Sequence, residues 1–214
     1  MVHPYWPLFD LRIHTPRLEL RYPDDELVVA LAALAAAGIH DPDAMPFSVP
    51  WTRQPAGVLE REAIKHYWFR RGTLTPEDWH VPFAVFVDGT LVGVQDCFAT
   101  AFPAARTVQT GSWLGRAHQG KGIGKEMRAA VLDFAFAGLG ALRAETGAWH
   151  DNVASIKVTT SLAYEPNGDE FLVCEGTRRR MLRFALPREA WEQRRRDDIV
   201  LENVEPCLEL LGAA

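Results

Sequence analysis

Residues 107–137 combine a predicted strand, a glycine-rich loop and an amphipathic helix in direct succession. The strand is predicted over 107–114 and the loop over 115–122. A helix is predicted over 123–137, because apolar residues recur there on one face of the helical period. These residues are Ile123, Met127, Ala130, Val131 and Phe134.

The start of this helix is suited to binding phosphate. The first turn of a helix leaves backbone N–H groups unpaired at the positive end of the helix dipole. Glycines allow a ligand to approach the backbone closely, and Lys121 and Lys125 add positive charge. We therefore predict a pyrophosphate site here. For the glycines taken alone, a purely structural helix cap is the alternative interpretation.

Two common phosphate motifs do not describe this loop. The spacing Gly-x-x-x-x-Gly-Lys-Ser/Thr of a P-loop is absent. A Rossmann fingerprint is excluded because the loop lies late in the chain and follows a hairpin. That hairpin is predicted from strands over 83–87 and 91–94, which flank the turn Asp88-Gly89.

The remaining elements predict an α/β fold with a mixed sheet. The order is strand, two helices, three strands, helix, strand, helix and two strands. Outside the segments already named, strands are predicted over 18–21, 141–149, 171–174 and 180–185, and helices over 58–71, 153–162 and 187–196. The first helix is predicted from the start signal at 23–26, with acids in its first turn, to a stop at Gly38. In the second helix, Ile64, Tyr67 and Trp68 are predicted to face inward. Residues 197–214 are predicted as a further strand or a tail.

Composition narrows the class of protein. The 214 residues suit a single domain over 1–214, with its core at about 10–186 and a C-terminal helix and tail over 187–214. A net charge of −5 lacks the basic excess of nucleic-acid binders. Neither a membrane-spanning run nor a signal-peptide pattern is found, and the three dispersed cysteines favour a reducing compartment and argue against a zinc site. We expect a cytoplasmic protein.

Residues 41–57 are predicted to form a binding loop. Four prolines, at 42, 46, 50 and 55, prevent a helix from running through the segment. The segment also carries Met45, Phe47 and Trp51, which is unusual for a solvated linker. A long apolar loop inside a compact domain is often functional.

Four motifs, in order along the chain, resemble the GCN5-related N-acetyltransferases (GNAT), in particular the RimJ/RimL-type branch. Thr15-Pro16-Arg17-Leu18-Glu19-Leu20-Arg21 resembles the opening of that branch. Gly111-Ser112-Trp113-Leu114 resembles its Gly-Tyr-Trp-Leu strand, and Gln119-Gly120-Lys121-Gly122-Ile123-Gly124 matches the acyl-CoA motif Gln/Arg-x-x-Gly-x-Gly/Ala. Asn152 and Ser155 match its Asn-x-x-Ser. Segments 41–51 and 113–136 also resemble an actinobacterial subgroup for which succinyl-CoA is a possible donor.

This resemblance implies a GNAT fold: a mixed, mostly antiparallel sheet with flanking helices, in which the family's fourth and fifth strands splay apart to receive pantetheine. It also implies an N-acyltransferase that uses acetyl-CoA or succinyl-CoA as co-substrate and a primary amine as acceptor, without a metal. The implied acyl-CoA-binding residues are Trp113, Leu114, Gln119, Gly120, Lys121, Gly122, Ile123, Gly124, Lys125, Asn152 and Ser155. Asn152 and Ser155 are also predicted near the thioester as catalytic residues, Ser155 as a donor to the leaving thiolate or simply as a helix-terminal serine.

The proton acceptor is the open question of the sequence. The family often has a glutamate on the fourth strand, where this chain has Val108-Gln109-Thr110, and an amide cannot act as a base. Glu145 on the fifth strand is the first candidate and Asp96 on the third strand is the second. Deprotonation by water alone is a third possibility, since an α-amine with a pKa of about 8 is partly neutral at pH 7. Tyr164 is interpreted as a core residue.

Two other functions remain open at this point. The missing glutamate is compatible with a non-catalytic acyl-CoA sensor, and the glycine loop alone is compatible with a nucleotide-binding interaction domain. For the enzyme, the acceptor is expected beside the loop over 41–51, between the first two helices and the closing hairpin. It would be a protein N-terminus, a lysine or a small amine. Neither a nucleic acid nor a membrane is expected as partner, and a homo-oligomer is possible.

Overall fold

The computed structural model describes residues 3–214. Met1 and Val2, where the segment searched for a signal peptide begins, lie outside the described residues. The three cysteines are unpaired and buried. No helix within residues 3–214 has the length and apolar character needed to cross a bilayer.

Within these residues, nine strands form one sheet in the order β7-β8-β6-β5-β4-β3-β2-β1-β9. The strands are β1 (Arg12–His14), β2 (Leu18–Arg21), β3 (Asp78–Val87), β4 (Thr90–Thr100), β5 (Thr107–Leu114), β6 (Arg143–Trp149), β7 (Glu165–Cys174), β8 (Thr177–Pro187) and β9 (Val200–Glu202). Every neighbouring pair is antiparallel except β5 and β6, which are parallel. The predicted mixed α/β fold is therefore confirmed, and the C-terminal segment supplies an edge strand, β9.

Helices cover both faces of the sheet. They are α1 (Asp25–Ala36), α2 (Val58–Gly72), the single turn α3 (Phe102–Ala105), α4 (Ile123–Asp133, continued by a π-helical turn at Phe134–Gly138), α5 (Val153–Ser161) and α6 (Arg188–Glu192). Alternate residues of β3 show the two layers: Phe83 packs in the main core with α4, whereas Ala84 packs in a smaller cluster with Leu31 of α1.

Several predicted boundaries differ from the structure. The central strands β3 and β4 extend well beyond the predicted 83–87 and 91–94, because hairpin pairing continues through polar residues such as Gln95 and Asp96. The closing strands β7 and β8 are likewise longer than predicted. The C-terminal helix is shorter, since α6 ends at Glu192, and β1 was not predicted from sequence.

The orientation predicted for Trp68 is wrong. Its side chain is half exposed, at 50 %, and its indole Nε1 donates to Asp25 at 3.2 Å. In α2 only Leu59 is buried, so this helix covers the sheet loosely. Ile64 and Tyr67, the other two predicted inward residues, are partly buried.

The parallel pairing of β5 with β6 covers three residues of each strand. Residues 107–109 pair with residues 143–145, and no pairing continues beyond Gln109 and Glu145. From there β5 stays paired with β4, while β6 stays paired with β8. A split therefore opens in the sheet, at the position where the resemblance implies splayed strands.

The turn between β1 and β2 is tied to the start of α4. The Thr15 hydroxyl donates to Glu126 Oε1 at 2.6 Å, and the guanidinium of Arg17 contacts Oε2 at 2.5 Å (Nη2) and 2.7 Å (Nε). Glu126 is buried, at 6 % exposure. Burial by itself would raise the pKa of this carboxyl, but the bonds from Thr15 and Arg17 hold it below its ordinary value. This clamp explains why the opening Thr-x-Arg motif accompanies the glycine loop.

The clamp predicts a specific acid sensitivity. Because the folded-state pKa of Glu126 is depressed, its ionised form stabilises the fold above the ordinary glutamate pKa of 4.5, and this contribution is lost as the pH falls through the folded value. Glu126→Gln should lower the free energy of unfolding at pH 7 by about 1–3 kcal/mol and flatten its decline below pH 4.5. Urea unfolding between about pH 3 and 7 measures both effects.

The matched control is Glu62→Gln. Glu62 pairs with Lys65 on the exposed surface of α2, where ion pairs contribute about 0–1 kcal/mol. An acid limb of Glu126→Gln as steep as that of the unmodified chain would contradict the clamp.

Candidate active site

The glycine loop presents a row of free backbone donors beside the split. Gly120 and Gly122 have φ values of 73° and 79°, in the left-handed region that favours glycine, and Gly122 caps α4. Within residues 3–214, the N–H groups from Gly120 to Lys125 donate to no acceptor. They lie in the loop just before α4 and in its first turn, at the positive end of the helix dipole, so the geometry fits a pyrophosphate.

Gln119 has a different role from the one implied by the motif. Its side-chain Nε2 donates to the carbonyl oxygens of Ile39 at 2.8 Å and Leu114 at 2.9 Å. Its backbone N–H donates to Arg116 at 3.3 Å. The backbone N–H, which the resemblance implies as a pyrophosphate donor, is therefore already bonded within the chain. Gln119 is a positioning residue that ties the end of β5 to the segment after α1.

The end of β5 is accessible from the split. Beyond Gln109, the edge of this strand that faces β6 has no strand partner, so its backbone can pair with an extended ligand. Leu114 is nearly buried, at 9 % exposure, whereas Trp113 is half-buried and turns to the face covered by α1. Beside Ser112, the buried Gln95 donates through Nε2 to the Gly111 carbonyl at 2.8 Å, but its Oε1 receives no hydrogen bond from the described residues.

Asn152 and Ser155 lie at the start of α5. Asn152 Oδ1 accepts from the Ser155 backbone N–H at 3.1 Å, which is a helix N-cap. Both side chains are half-buried, and neither the Asn152 Nδ2 nor the Ser155 hydroxyl donates to another group in the described residues. The cap is thus one established role of Asn152, and the remaining donors of both residues are available to a ligand.

An aromatic wall borders the split on the α1–α2 face. The rings of Trp51 and Trp113 lie 6.4 Å apart, and Phe47 lies 5.4 Å from Trp51. Trp149 of β6 donates to the Phe47 carbonyl at 3.4 Å. The predicted binding loop therefore reaches both strands of the split.

Two arginines hold this loop in place. Arg53 bonds the Pro42 carbonyl and pairs with Glu175 of the β7–β8 turn at 2.8 Å. Arg179 of β8 donates to the Met45 carbonyl at 2.8 Å. The loop is consequently fastened to the closing hairpin. This arrangement is compatible with an acceptor that enters between the loop and the hairpin, as expected from the sequence.

Glu145 lies at the last paired position of β6. Its Oε1 forms an ion pair with Arg143 Nε at 2.7 Å. The carboxylate lines a cavity of about 250 Å³ together with Gln109 and Arg183. The Glu145 carboxylate therefore lines a cavity, but an arginine is already bound to it.

A second acidic group lies closer to the separated part of β5. Asp96 pairs across the β4–β5 ladder with Gly111, where a Cβ would lie 3.8 Å from Asp96 Oδ2. Asp96 Oδ1 is 2.8 Å from His80 Nε2 of β3. The His66 ring lies 5.9 Å from that of His80, and burial, together with the charge of His80, lowers the pKa of His66. The sheet thus carries a His–Asp pair beside the split.

Sequence reasoning did not find His80. The two side chains are diagonal neighbours on adjacent strands, since His80 pairs with Phe98 and Asp96 pairs with Pro82. Only the hairpin register could reveal the contact, and the predicted strand began three residues after His80. Extending the pairing outward from Asp88-Gly89 would have placed both residues on one face.

Tyr164 is buried, as predicted, at 4 % exposure. Its hydroxyl lies 3.5 Å from the Thr110 hydroxyl, and burial raises its pKa. Within residues 3–214, no group of three or more His, Cys, Asp or Glu residues is arranged to hold a metal ion.

Comparison with known proteins agrees with this geometry. Residues 17–165 match the family described as acetyltransferase (GNAT) domain. A curated relative, "Probable N-acetyltransferase YjcK" of Bacillus subtilis (strain 168), is 32% identical over 92 residues, which cover 43% of this chain and 51% of that protein. The match thus spans about half the length of that relative.

Solved structures share the fold at low identity. A RimL ribosomal L7/L12 alpha-N-protein acetyltransferase in complex with coenzyme A has a TM-score of 0.63 at 22% identity, with 82% of this chain and 97% of that chain covered. Mycobacterium smegmatis RimJ in complex with CoA-disulfide has a TM-score of 0.66 at 21% identity, with coverage of 87% and 90%. These structures show the GNAT fold, with its mixed, mostly antiparallel sheet. From the family match over residues 17–165 and this fold, the chain belongs to the GNAT acetyltransferase family.

Proposed function

We propose that the protein is an N-acyltransferase that moves an acetyl or succinyl group from acyl-CoA to a primary amine. The observation that carries the proposal is the split between β5 and β6, which ends beside the free N–H groups at the start of α4. The pyrophosphate would bind these N–H groups from Gly120 to Lys125. The pantetheine arm would run along the unpaired edge of β5 at Trp113 and Leu114, with Asn152 and Ser155 on its other side.

The buried polar groups of the split fit such a ligand. Gln95 Oε1 has no donor in the described residues, and an amide N–H of pantetheine is the kind of group that would satisfy it. The free N–H groups of the α4 turn are matched by phosphate oxygens. Acyl-CoA is a co-substrate here, and the proposed reaction needs no metal.

The reaction is a direct transfer. The neutral amine nitrogen attacks the thioester carbonyl carbon, an N–C bond forms and the C–S bond breaks. The amine proton passes to a base, and the CoA thiolate leaves and takes up a proton, for which the Ser155 hydroxyl is a candidate donor. The products are an amide and free CoA, and all charges balance without a redox partner.

Binding of CoA is the first test. Gly122→Val should abolish binding of CoA in calorimetry, because the branched side chain would lie against the Arg17 guanidinium and over the loop. Gly89→Val is the matched control, since Gly89 has a similar positive φ of 75° but lies in the β3–β4 turn with open space around it. Retained micromolar binding in Gly122→Val would refute the pyrophosphate assignment.

For the proton acceptor we propose the Asp96–His80 pair in preference to Glu145. Asp96 lies beside Gly111, where β5 has already separated from β6, whereas Glu145 lies at the last paired position and is held by Arg143. A carboxylate that orients a histidine is a recurrent general-base arrangement. The same pair favours an enzyme over a non-catalytic acyl-CoA sensor, which needs no base.

The pH–rate profile separates these candidates. Asp96→Asn should lower kcat by about 100-fold or more and remove the acidic limb of kcat/KM, and His80→Gln should do the same. Glu145→Gln is the matched control and should change kcat less than about tenfold. A larger loss in Glu145→Gln would transfer the role to Glu145. Unchanged rates in all three variants would leave deprotonation to water.

The aromatic wall described above indicates what kind of amine the site accepts. The aromatic surface of Phe47, Trp51 and Trp113 is suited to the apolar part of an amine or peptide beside the split. The RimL relative is described as an alpha-N-protein acetyltransferase of ribosomal L7/L12. Peptide N-termini, lysine side chains and small amines therefore form the panel for turnover assays.

A further inference from the structure

Helix α4 carries three buried charged side chains, and one of them lacks a counter-charge. Glu126, Arg128 and Asp133 are 6%, 3% and 1% exposed. Glu126 pairs with Arg17, and Asp133 pairs with Arg195 at 3.0 Å. Within residues 3–214, Arg128 has no carboxylate within ion-pair distance of 4.0 Å.

The Arg128 guanidinium lies across the split. Its Nη2 is 3.3 Å from the Ser112 hydroxyl on β5, and its Nη1 is 3.3 Å from the Thr146 hydroxyl on β6. Both positions follow the last paired residues, Gln109 and Glu145. The Nε–H is buried and has no acceptor in the described residues. The positive charge therefore lies between the separated strands, next to the part of β5 along which the proposed function runs the pantetheine arm.

The protein alone does not compensate this charge. Hydroxyl groups at 3.3 Å are long, neutral partners for a guanidinium, whose strong bonds are to anions at about 2.7–2.9 Å. Tyr164 is the remaining polar neighbour, and burial raises its pKa, so it stays neutral. A buried ion without a partner is costly, so a ligand of opposite charge would stabilise this site.

Four anions occur in the proposed reaction, namely the pyrophosphate, the oxyanion, the leaving thiolate and an acyl carboxylate, and one fits this place. The pyrophosphate belongs at the exposed first turn of α4, whereas Arg128 is buried beneath the sheet opening. The oxyanion of the tetrahedral intermediate and the leaving thiolate exist only transiently, and each would leave the cation unpaired in the resting complex with the donor. A carboxylate at the far end of the acyl group would be present from binding to release.

We propose that Arg128, with the hydroxyl of Ser112, binds the terminal carboxylate of a dicarboxylic acyl group, so that the preferred donor is a thioester such as succinyl-CoA. The proposal rests on the proposed function and specifies its donor. The guanidinium presents Nε–H and an Nη–H as a fork that matches a carboxylate. The Ser112 hydroxyl can donate to the same carboxylate, whereas the Thr146 hydroxyl donates to the Thr110 carbonyl and accepts from Arg128, so that it holds the guanidinium in place. A neutral acyl group leaves the charge uncompensated and binds less tightly.

The experiment compares donors that differ only at the acyl terminus. Succinyl-CoA and butyryl-CoA have four-carbon acyl groups, and only the first ends in a carboxylate. In the unmodified chain, succinyl-CoA should bind about 10- to 100-fold more tightly than butyryl-CoA in calorimetry, the range of a hydrogen-bonded charge. Free CoA, measured in parallel, tests the proposed function independently of the acyl group.

Variants at Arg128 then test whether this residue causes the preference for succinyl-CoA. Methionine is close to arginine in volume, so Arg128→Met should remove the preference for succinyl-CoA over butyryl-CoA. Free CoA should bind as tightly as before. Its melting temperature without ligand should be unchanged or higher, because a buried unpaired charge is gone. Arg128→Lys keeps the charge without the fork and should retain part of the preference. Arg61→Met, on the exposed surface of α2, controls for the loss of one positive charge.

The outcomes are distinct. Tight CoA binding without preference for succinyl-CoA would overturn the carboxylate site and leave the proposed function intact. An equal loss of turnover with both donors in Arg128→Met would assign Arg128 to the reacting carbonyl instead. Absence of CoA binding in the unmodified chain would overturn the proposed function itself. If Arg128→Met does not fold, Arg128→Gln and Arg128→Lys carry the same comparison.

Discussion

The early end of the parallel pairing between β5 and β6 is the constraint on which the site depends. Three residue pairs hold the strands together, and beyond Gln109 and Glu145 each strand keeps only its outer neighbour. A break in a sheet exposes backbone groups that must find other partners. The Thr146 hydroxyl, for example, donates to the Thr110 carbonyl at 3.0 Å, so a side chain takes over where the strand ladder stops. The opening is stable because such polar groups line it, and the same groups make it receptive to a ligand.

The two sides of the split are built by contacts between distant parts of the chain. On the α4 side, Thr15 and Arg17 bind Glu126 and hold the helix start beneath the glycine loop. On the opposite side, Arg53 and Arg179 fasten the loop over 41–57 to the closing hairpin. Gln119 joins the two sides, since it bonds both the end of β5 and the segment after α1. These contacts hold the glycine loop and the loop over 41–57 in fixed positions although neither forms regular secondary structure throughout.

Most buried charged side chains of this fold lie beside a partner that can carry the opposite charge. The buried carboxylates Glu126 and Asp133 each have an arginine partner, and Asp96 has His80. Arg128 departs from this rule at the split, where a substrate is proposed to bind. An uncompensated group inside an otherwise compensated core is a physical indication of a ligand site, because the cost of burying it is otherwise unexplained.

Local sequence determined much of the framework of this protein. The bounds of β5 and the start of α4 match the prediction, and the turn at Asp88-Gly89 has the positive φ values that its sequence favours. Such features follow from residues that are neighbours along the chain, whose periodicity and turn chemistry act locally. The family motifs likewise indicated the glycine loop before α4 and the strands that separate.

The tertiary structure alone decided which polar groups meet. His80 and Asp96 lie 16 residues apart, and Arg17 and Glu126 lie 109 residues apart. Arg128 reads in the sequence as an ordinary helix residue, and only the positions of Ser112 and Thr146 show that it lies across the split. Strand register and helix packing fix such contacts, and no local pattern carries that information. The sequence by itself therefore determined the family framework and the glycine loop before α4, whereas only the folded chain brought His80 to Asp96 and placed Arg128 across the split.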